Sequence, residues 1–192
     1  MQIGVLALQG DFREHALALE RCGVQPVFVR RAEELDSLDA LILPGGESTT
    51  IAHLAKVFDL FEPLVSRIRG GLPTYGSCAG MILLADRLLD GAPGQETFGG
   101  LDITVRRNAF GRQVDSFESR LSFDGTAFDA VFIRAPWVEE VGPGVEVLST
   151  VTVEGASHPV AVRNKHLLAT SFHPELTSDS HIHRYFLENM VG

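Results

Sequence analysis

Leu72-Pro73-Thr74-Tyr75-Gly76-Ser77-Cys78-Ala79-Gly80-Met81-Ile82-Leu83-Leu84-Ala85 reads as a strand, an abrupt turn and a helix, with one cysteine at the bend. A residue at the apex of such a turn sits on strained backbone, so its neighbours must be small for the chain to reverse. Gly76 and Gly80 meet that need, and Gly76-Ser77-Cys78-Ala79-Gly80 is a thiol version of the G-x-S-x-G nucleophile elbow. The turn places the sulfur at the start of a helix, where unpaired amides favour a thiolate and can hold an oxyanion. Taken alone, Cys78 has a plainer reading as a small buried hydrophobe between two glycines.

Upstream of the elbow, residues 3–8 are nearly all apolar and closed by Gln9-Gly10, as suits a strand covered on both faces. Asp11 and Glu14 have the spacing of a capping box ahead of a helix that carries Phe12, Ala16 and Leu19 and stops at Cys22-Gly23. Residues 27–29 and 40–43 read as further strands, with a short turn or helix over 32–35. Pro44-Gly45-Gly46 ends the third strand, Ser48 is placed to cap a helix with Ile51, Leu54, Ala55 and Phe58 on one face, and residues 60–68 continue as helix. Strands alternating with helices imply a mostly parallel sheet flanked by helices.

Downstream of Arg87 the pattern changes. Residues 88–100 are rich in Gly and Pro, Leu101, Ile103 and Val105 alternate with polar residues, and short strands are expected at 121–123, 130–133, 145–148 and 160–162. Residues 167–172 form the last strong strand and 182–191 a closing helix, whereas 86–99 and 150–157 carry no recognisable pattern. The fold class is therefore α/β, with additional antiparallel strands in the second half. A chain of 192 residues with 45% hydrophobic content can bury a full core, and residues 1–192 are expected to form one domain.

The formal charge of −9 excludes a general surface for nucleic acid or anionic lipid, which needs clustered Lys and Arg. Met1-Gln2-Ile3-Gly4-Val5-Leu6 has no basic region ahead of its apolar run, and no run approaches a membrane span, so a cytoplasmic location is expected. In a reducing compartment Cys22 and Cys78 should stay unpaired, with Cys22 packing at a helix end.

The last strong strand leads into His173-Pro174-Glu175. In an extended segment side chains two apart point the same way, so Glu175 can accept the imidazole N–H of His173 and fix its tautomer. A base held in this way is what a cysteine nucleophile needs. Cys78 and His173 both follow strands, and the carboxyl ends of strands in an open α/β sheet converge on one crevice. The glycine turn at 44–46 ends on the same edge, so the amides of Gly46 and Ala79 are candidates for an oxyanion hole. A metal site built from His173, Glu175, Asp179, His181 and His183 is disfavoured, because His181 and His183 open a helix, where side chains two apart diverge.

Three stretches, Pro44-Gly45-Gly46-Glu47-Ser48-Thr49-Thr50, Gly76-Ser77-Cys78-Ala79-Gly80 and Ser171-Phe172-His173-Pro174-Glu175, resemble the triad glutamine amidotransferases. Gly4-Val5-Leu6-Ala7-Leu8-Gln9-Gly10, Arg107-Asn108-Ala109-Phe110-Gly111-Arg112-Gln113-Val114-Asp115-Ser116-Phe117-Glu118 and Phe132-Ile133-Arg134-Ala135-Pro136 resemble, within these, the glutaminase subunits of pyridoxal 5′-phosphate synthases. The resemblance covers nearly the whole chain; Ser77 stands where Thr is commoner. It implies Cys78 as nucleophile, His173 as base and Glu175 as its orienter, with L-glutamine bound by Gly46, Glu47, Ser48, Arg107, Ile133 and Arg134. It also implies a synthase subunit with a (β/α)8 barrel as partner and recipient of the ammonia, and no cofactor, pyridoxal phosphate being the product of the complex.

Without the resemblance, Arg107 and Arg134 read as solvated charges. A cysteine peptidase of related fold and a non-catalytic regulatory module remain the alternatives. The first needs an open groove, and the second has no use for an intact Cys, His and Glu set. The stretch 107–118, Arg112 included, is expected to dock the partner.

Overall fold

The structure is a computed structural model and describes residues 1–110 and 116–191; Arg112, with the docking role expected of it, lies outside the described residues. The first half runs β1 (Ile3–Leu6), α1 (Phe12–Arg21), β2 (Val27–Val29), β3 (Ala40–Leu43), α2 (Ser48–Val57), α3 (Phe61–Arg69), β4 (Thr74–Ser77) and α4 (Ala79–Leu84), with a 3-10 turn at Ala32–Leu35. The second half adds β5 (Ala85–Leu89), β6 (Leu101–Arg106), β7 (Ser116–Phe123), β8 (Thr126–Ile133), β9 (Trp137–Val141), β10 (Glu146–Val153), β11 (Ala156–Arg163) and β12 (Leu167–Thr170). A 3-10 turn at Pro174–Leu176 and α5 (His181–Phe186) follow, and α5 runs on into a π-helical turn at Leu187–Val191.

The main sheet has seven strands in the order β10-β11-β12-β4-β3-β1-β2. The five strands from β12 to β2 are parallel, and β11 and β10 add antiparallel at one edge. A three-stranded sheet β5-β6-β9 and the hairpin β7-β8 stand apart from it.

Successive strand residues face opposite sides, so a strand buried on both faces has to be apolar throughout. Ile3, Val5, Ala40, Ile42 and Leu168 face a core shared with Leu19 of α1, Phe123 and Phe132 of the hairpin and Phe186 of α5. Leu6, Leu41, Leu43, Leu167 and Ala169 face the opposite core, filled by Ile51 and Ala55 of α2, Ile68 of α3 and Ile103 of β6. Each fully buried Leu, Ile or Phe contributes about 1.5–3 kcal/mol, which explains why the sheet dominates the fold.

Several local expectations change. Asp11 precedes α1, but its side chain makes no capping bond. The cap of α2 is Glu47 and not Ser48: the longer Glu47 side chain reaches forward, and its Oε2 accepts the Thr50 N–H at 2.8 Å. Phe58 lies beyond the end of α2 and is 54% exposed, so it leaves the face formed by Ile51 and Ala55. Strands β7, β8, β10 and β11 extend well past their apolar centres because cross-strand hydrogen bonds also carry their alternating polar residues. Glu154 and Gly155, both at positive φ, turn β10 into β11, a tight hairpin bend that needs no apolar pattern. Strands β5 and β9 had no such pattern either. Among the described residues no helix is long and apolar enough to cross a membrane.

Neighbouring parallel strands β12, β4, β3 and β1 deliver His173, Cys78, Gly45-Gly46 and Gln9 just beyond their carboxyl ends.

Candidate active site

At the end of β4 the backbone reverses through Cys78, which has φ 47° and ψ −98° and is 6% exposed. The flanking glycines are required by contact. A Cβ on Gly76 would lie 2.5 Å from the Gly80 carbonyl, and one on Gly80 would lie 2.3 Å from the Leu43 oxygen. The Cys78 N–H donates to the Thr170 carbonyl at 2.7 Å, so the elbow is tied to β12 and thereby to the segment that bears His173.

His173 donates its own amide to the Val131 carbonyl at 2.8 Å, and its Nδ1 lies 2.8 Å from Glu175 Oε1. The two residues meet as anticipated but not in an extended segment. Pro174, with its fixed φ, opens the 3-10 turn that carries Glu175 back under the imidazole. Burial opposes charging of His173, yet hydrogen bonds and charge from Cys78 and Glu175 outweigh it and raise the pKa of the imidazole. Burial likewise opposes ionisation of Glu175, but His15 and His173 hold its carboxyl well below the usual carboxylate range. These opposed shifts suit a thiolate beside an imidazolium, with a carboxylate behind the ring.

Two further groups support Glu175 from below. Ser77 Oγ lies 3.3 Å and His15 Nε2 3.5 Å from its Oε1. His15 was missed in the sequence, where its one signal was its place on the apolar face of α1, three residues after Phe12 and four before Leu19.

Asp11, missed as a site residue because it read as a cap, puts Oδ2 at 3.6 Å from His173 Nδ1, and burial raises its pKa. The donor atoms of Asp11, His173 and Glu175 lie within 4.8 Å of one another, as close as the ligands of a cation site. The Nδ1 position is taken up by the hydrogen bond to Glu175 Oε1 at 2.8 Å, which leaves no lone pair there for a metal. His181 and His183 diverge as expected: His181 meets Phe123 edge-on, whereas His183 turns inward to His15.

Above the triad lies a cavity of about 430 Å³. Cys78 and His173 line it together with Gly46, Glu47, Ser48, Arg107, Ile133 and Arg134, so the six residues expected to bind substrate surround the reactive pair. Ala79 is the first residue of α4 and is buried beside Cys78. Arg107 is not a solvated charge: its side chain is 16% exposed, and it donates to Glu47 Oε1 at 2.9 Å and to Gln95 Oε1 at 2.7 Å. Gln95 in turn donates to Ser48 Oγ at 2.9 Å. Burial works against ionisation of Glu47, but bonds from Thr49 and Thr50 prevail and lower its pKa. Arg134 is exposed at a φ of 42°.

Gly46 has a φ of 150°, and a Cβ there would lie 2.6 Å from Gln9 Oε1, the atom that accepts the Glu47 N–H at 2.8 Å. Gln9, Gln95 and Asn108 also escaped sequence reasoning. Gln9 had a legible position, directly beyond an apolar strand, but Gln95 sits in the patternless stretch after α4. Phe110 and Phe117, at the two ends of the expected docking stretch, are packing residues: Phe117 stacks on Phe132 at 4.6 Å and Phe110 meets Trp137 at 5.2 Å.

The SNO glutamine amidotransferase family matches residues 5–192. Pyridoxal 5′-phosphate synthase subunit PdxT of Parafrankia sp. (strain EAN1pec) is 63% identical over 97% of this chain and 92% of its own length. The subunit of the same name from Kineococcus radiotolerans is 61% identical over 97% of this chain and 93% of its own. A crystal structure of a glutamine amidotransferase superimposes with a TM-score of 0.88 at 51% identity, covering 97% of both chains. PurLQS from Thermotoga maritima, at 17% identity and a TM-score of 0.66 over 94% of this chain and 90% of that one, shares the fold.

Proposed function

The chain belongs to the SNO glutamine amidotransferase family, and from that premise we propose that it is the glutaminase subunit of a pyridoxal 5′-phosphate synthase, supplying the ammonia for pyridoxal 5′-phosphate synthesis. The observation that carries the reading is the cavity in which Cys78 and His173 face the Arg107–Glu47–Ser48 cluster. The whole chain acts as one glutaminase domain.

Glutamine lies with its charged α-amino-acid end toward Gly46, Glu47, Ser48, Arg107, Ile133 and Arg134 and its amide carbon over Cys78. A charge-assisted bond from an arginine fits a carboxylate, and Glu47 offers a partner of opposite sign for an ammonium. The Cys78 thiolate attacks the amide carbon, and the amides of Gly46 and Ala79 receive the oxyanion. His173 gives its proton to the departing nitrogen, which leaves as ammonia, and the thioester remains. Water then attacks the thioester and passes a proton to His173; glutamate leaves and the thiolate–imidazolium pair is restored. Glu175 stays ionised and holds the ring throughout.

Ammonia released to neutral water would be protonated and would lose its nucleophilicity, so a partner must take it directly. The partner is the synthase subunit, a (β/α)8 barrel. Docking also controls the rate: the Gly45–Gly46 peptide, held on one side by the Asp11 N–H that its carbonyl accepts at 3.0 Å, has no Cβ on either residue to bar rotation, and a partner sets the Gly46 amide toward the oxyanion.

The test is glutamate release from glutamine by the chain alone, with the synthase subunit, and with Cys78→Ala in both states. Low turnover alone, a rise of about 10²–10³-fold on docking and none with Cys78→Ala are expected. Full activity of the isolated chain defeats the docking switch, and turnover by Cys78→Ala defeats the assignment of the nucleophile.

A further inference from the structure

Behind the triad the protein buries more polar groups than packing alone needs. His15 of α1, Ser77 of β4 and His183 of α5 are each 0% exposed and converge on Glu175, itself 4% exposed. His183 Nε2 lies 2.9 Å from His15 Nδ1, His15 Nε2 lies 2.9 Å from Ser77 Oγ, and Ser77 Oγ lies 3.3 Å from Glu175 Oε1. From the other side His173 Nδ1 approaches the same Oε1 at 2.8 Å.

Resting on the glutaminase reading above, we propose that His15 is a positioning residue of the triad. It holds the Glu175 carboxylate through Ser77, its own Nε2 lying 3.5 Å from Oε1, while His183 fixes which nitrogen of His15 carries the proton.

The proton inventory supports one direction of donation. A neutral imidazole has one donor and one acceptor nitrogen. If His15 Nε2–H donates toward Ser77 and the carboxylate, its Nδ1 must accept, and His183 Nε2–H must donate to it. Ser77 O–H is then free to donate to Oε1, so every hydrogen bond in the chain points at the carboxylate. This assignment leaves His183 Nδ1 as a bare lone pair, and that atom is buried without a partner among the described residues. The reverse assignment would bury an unsatisfied N–H there and turn an acceptor nitrogen of His15 toward an anion, both costly.

The rings are also held in orientation. Tyr75 meets His15 edge-on at 5.9 Å and His183 edge-on at 5.8 Å, and its own hydroxyl is tied to Thr170 Oγ1 at 2.9 Å. A pair of histidines that merely filled space would need no such clamp. The titratable groups facing His15 are Glu175 from the turn, Tyr75 from β4, His183 from α5 and Asp11 at the start of α1. Arg21 adds its charge near His183.

Without the His15 donor the carboxylate is less well held, His173 loses part of its counter-charge, and the Cys78 thiolate forms at higher pH. The experiment uses the complex with the synthase subunit and compares the parent with His15→Leu, His15→Gln and His183→Leu. It measures kcat and KM for glutamine and, with no glutamine present, the pH profile of Cys78 alkylation by iodoacetamide, read on the Cys78 peptide. His15→Leu should lower kcat about 10- to 100-fold with little change in KM, the worth of one hydrogen bond to a charged group, and move the acid limb of alkylation to higher pH. His15→Gln keeps an N–H donor near the Nε2 position and should restore most of both, while His183→Leu should move both less, in the same direction.

Folded His15→Leu with parental kcat and alkylation profile overturns the proposal, as does a loss in His15→Gln equal to that in His15→Leu. Should His15→Leu fail to fold, the alkylation limb of His183→Leu decides: a shift upward supports the proposal, and a parental limb overturns it. Absence of glutamate release by the parent complex would refute the glutaminase reading, whereas the alkylation profiles would still report on His15.

Discussion

The two ends of the pocket are built by opposite rules. At the triad end, Cys78, His173 and Glu175 are at most 6% exposed, and the charges there answer to one another and to buried donors. At the recognition end Gly46 and Arg134 are exposed and the Glu47 side chain is 45% exposed. Charges taken out of water have to be matched inside the protein, so the triad end is organised before substrate arrives. At the open end the Glu47 half of the ion pair stays partly hydrated, so its bond to the more deeply set Arg107 can be exchanged when an amino acid enters. The contrast separates kcat from KM: substitutions at the buried end should act on turnover and those at the open end on affinity.

The largest effect tests the buried end. Glu175→Gln preserves size but removes the charge and offers His173 Nδ1 an ambiguous partner, so kcat should fall about 10²–10⁴-fold with KM little changed. The same variant has a stability signature. Because its folded pKa is depressed below the ordinary 4.5, Glu175 contributes stability that is present above that value and lost as pH falls through the lower folded pKa. Melting temperatures from pH 7 downward should therefore fall less steeply in acid for Glu175→Gln than for the parent. Near-parental turnover would show that something else orients His173.

An intermediate effect belongs to Gly46, where the two ends meet. Ala at this position must adopt a φ of 150° and place its Cβ 2.6 Å from Gln9 Oε1, so the loop that presents the amide has to move. Loss of one oxyanion donor predicts a kcat lower by about 10²–10³-fold in Gly46→Ala, measured in the presence of synthase. Turnover close to parental would remove the Gly46 amide from the mechanism and move the boundary of the rigid end past it.

Legibility in the sequence follows the same division of labour. The parallel strands announce themselves because burial on both faces leaves no polar residue in, for example, Ala40–Leu43. The elbow is readable because only glycine tolerates the approach of Gly76 to Gly80, and the triad because its partners end neighbouring strands. The hairpins were only half visible: β7 alternates exposed and covered residues and has a single fully buried one at its end, so its apolar signal is confined to 121–123. What no local pattern could show is side-chain contact across long separations. His15 meets Glu175 and Gln95 meets Arg107 only through the folded sheet, and neither type of residue marks a site by itself. Asp11 and Ser48 misled because capping preferences are local, while the fold had other partners for both side chains.

The smallest predicted effect tests the open end. Arg107 links Glu47 and Gln95, and through Gln95 also Ser48, so one cation organises three polar groups around the expected position of the substrate carboxylate. In Arg107→Ala the charge-assisted bond to that carboxylate is lost, and KM for glutamine should rise about 10- to 100-fold. The reacting carbon lies at the other end, among groups that do not touch Arg107, so kcat should stay within about 2-fold of parental, no more than the worth of a weak hydrogen bond. Stability should change by no more than about 1 kcal/mol, because Glu47 keeps water and its bonds from Thr49 and Thr50 when the guanidinium is gone. Initial rates over a range of glutamine concentrations, with a thermal melt beside them, separate the three quantities. A large fall in kcat with KM unchanged would mean that Arg107 acts on the transition state, and the two ends of the pocket would then have to be treated as one preorganised unit.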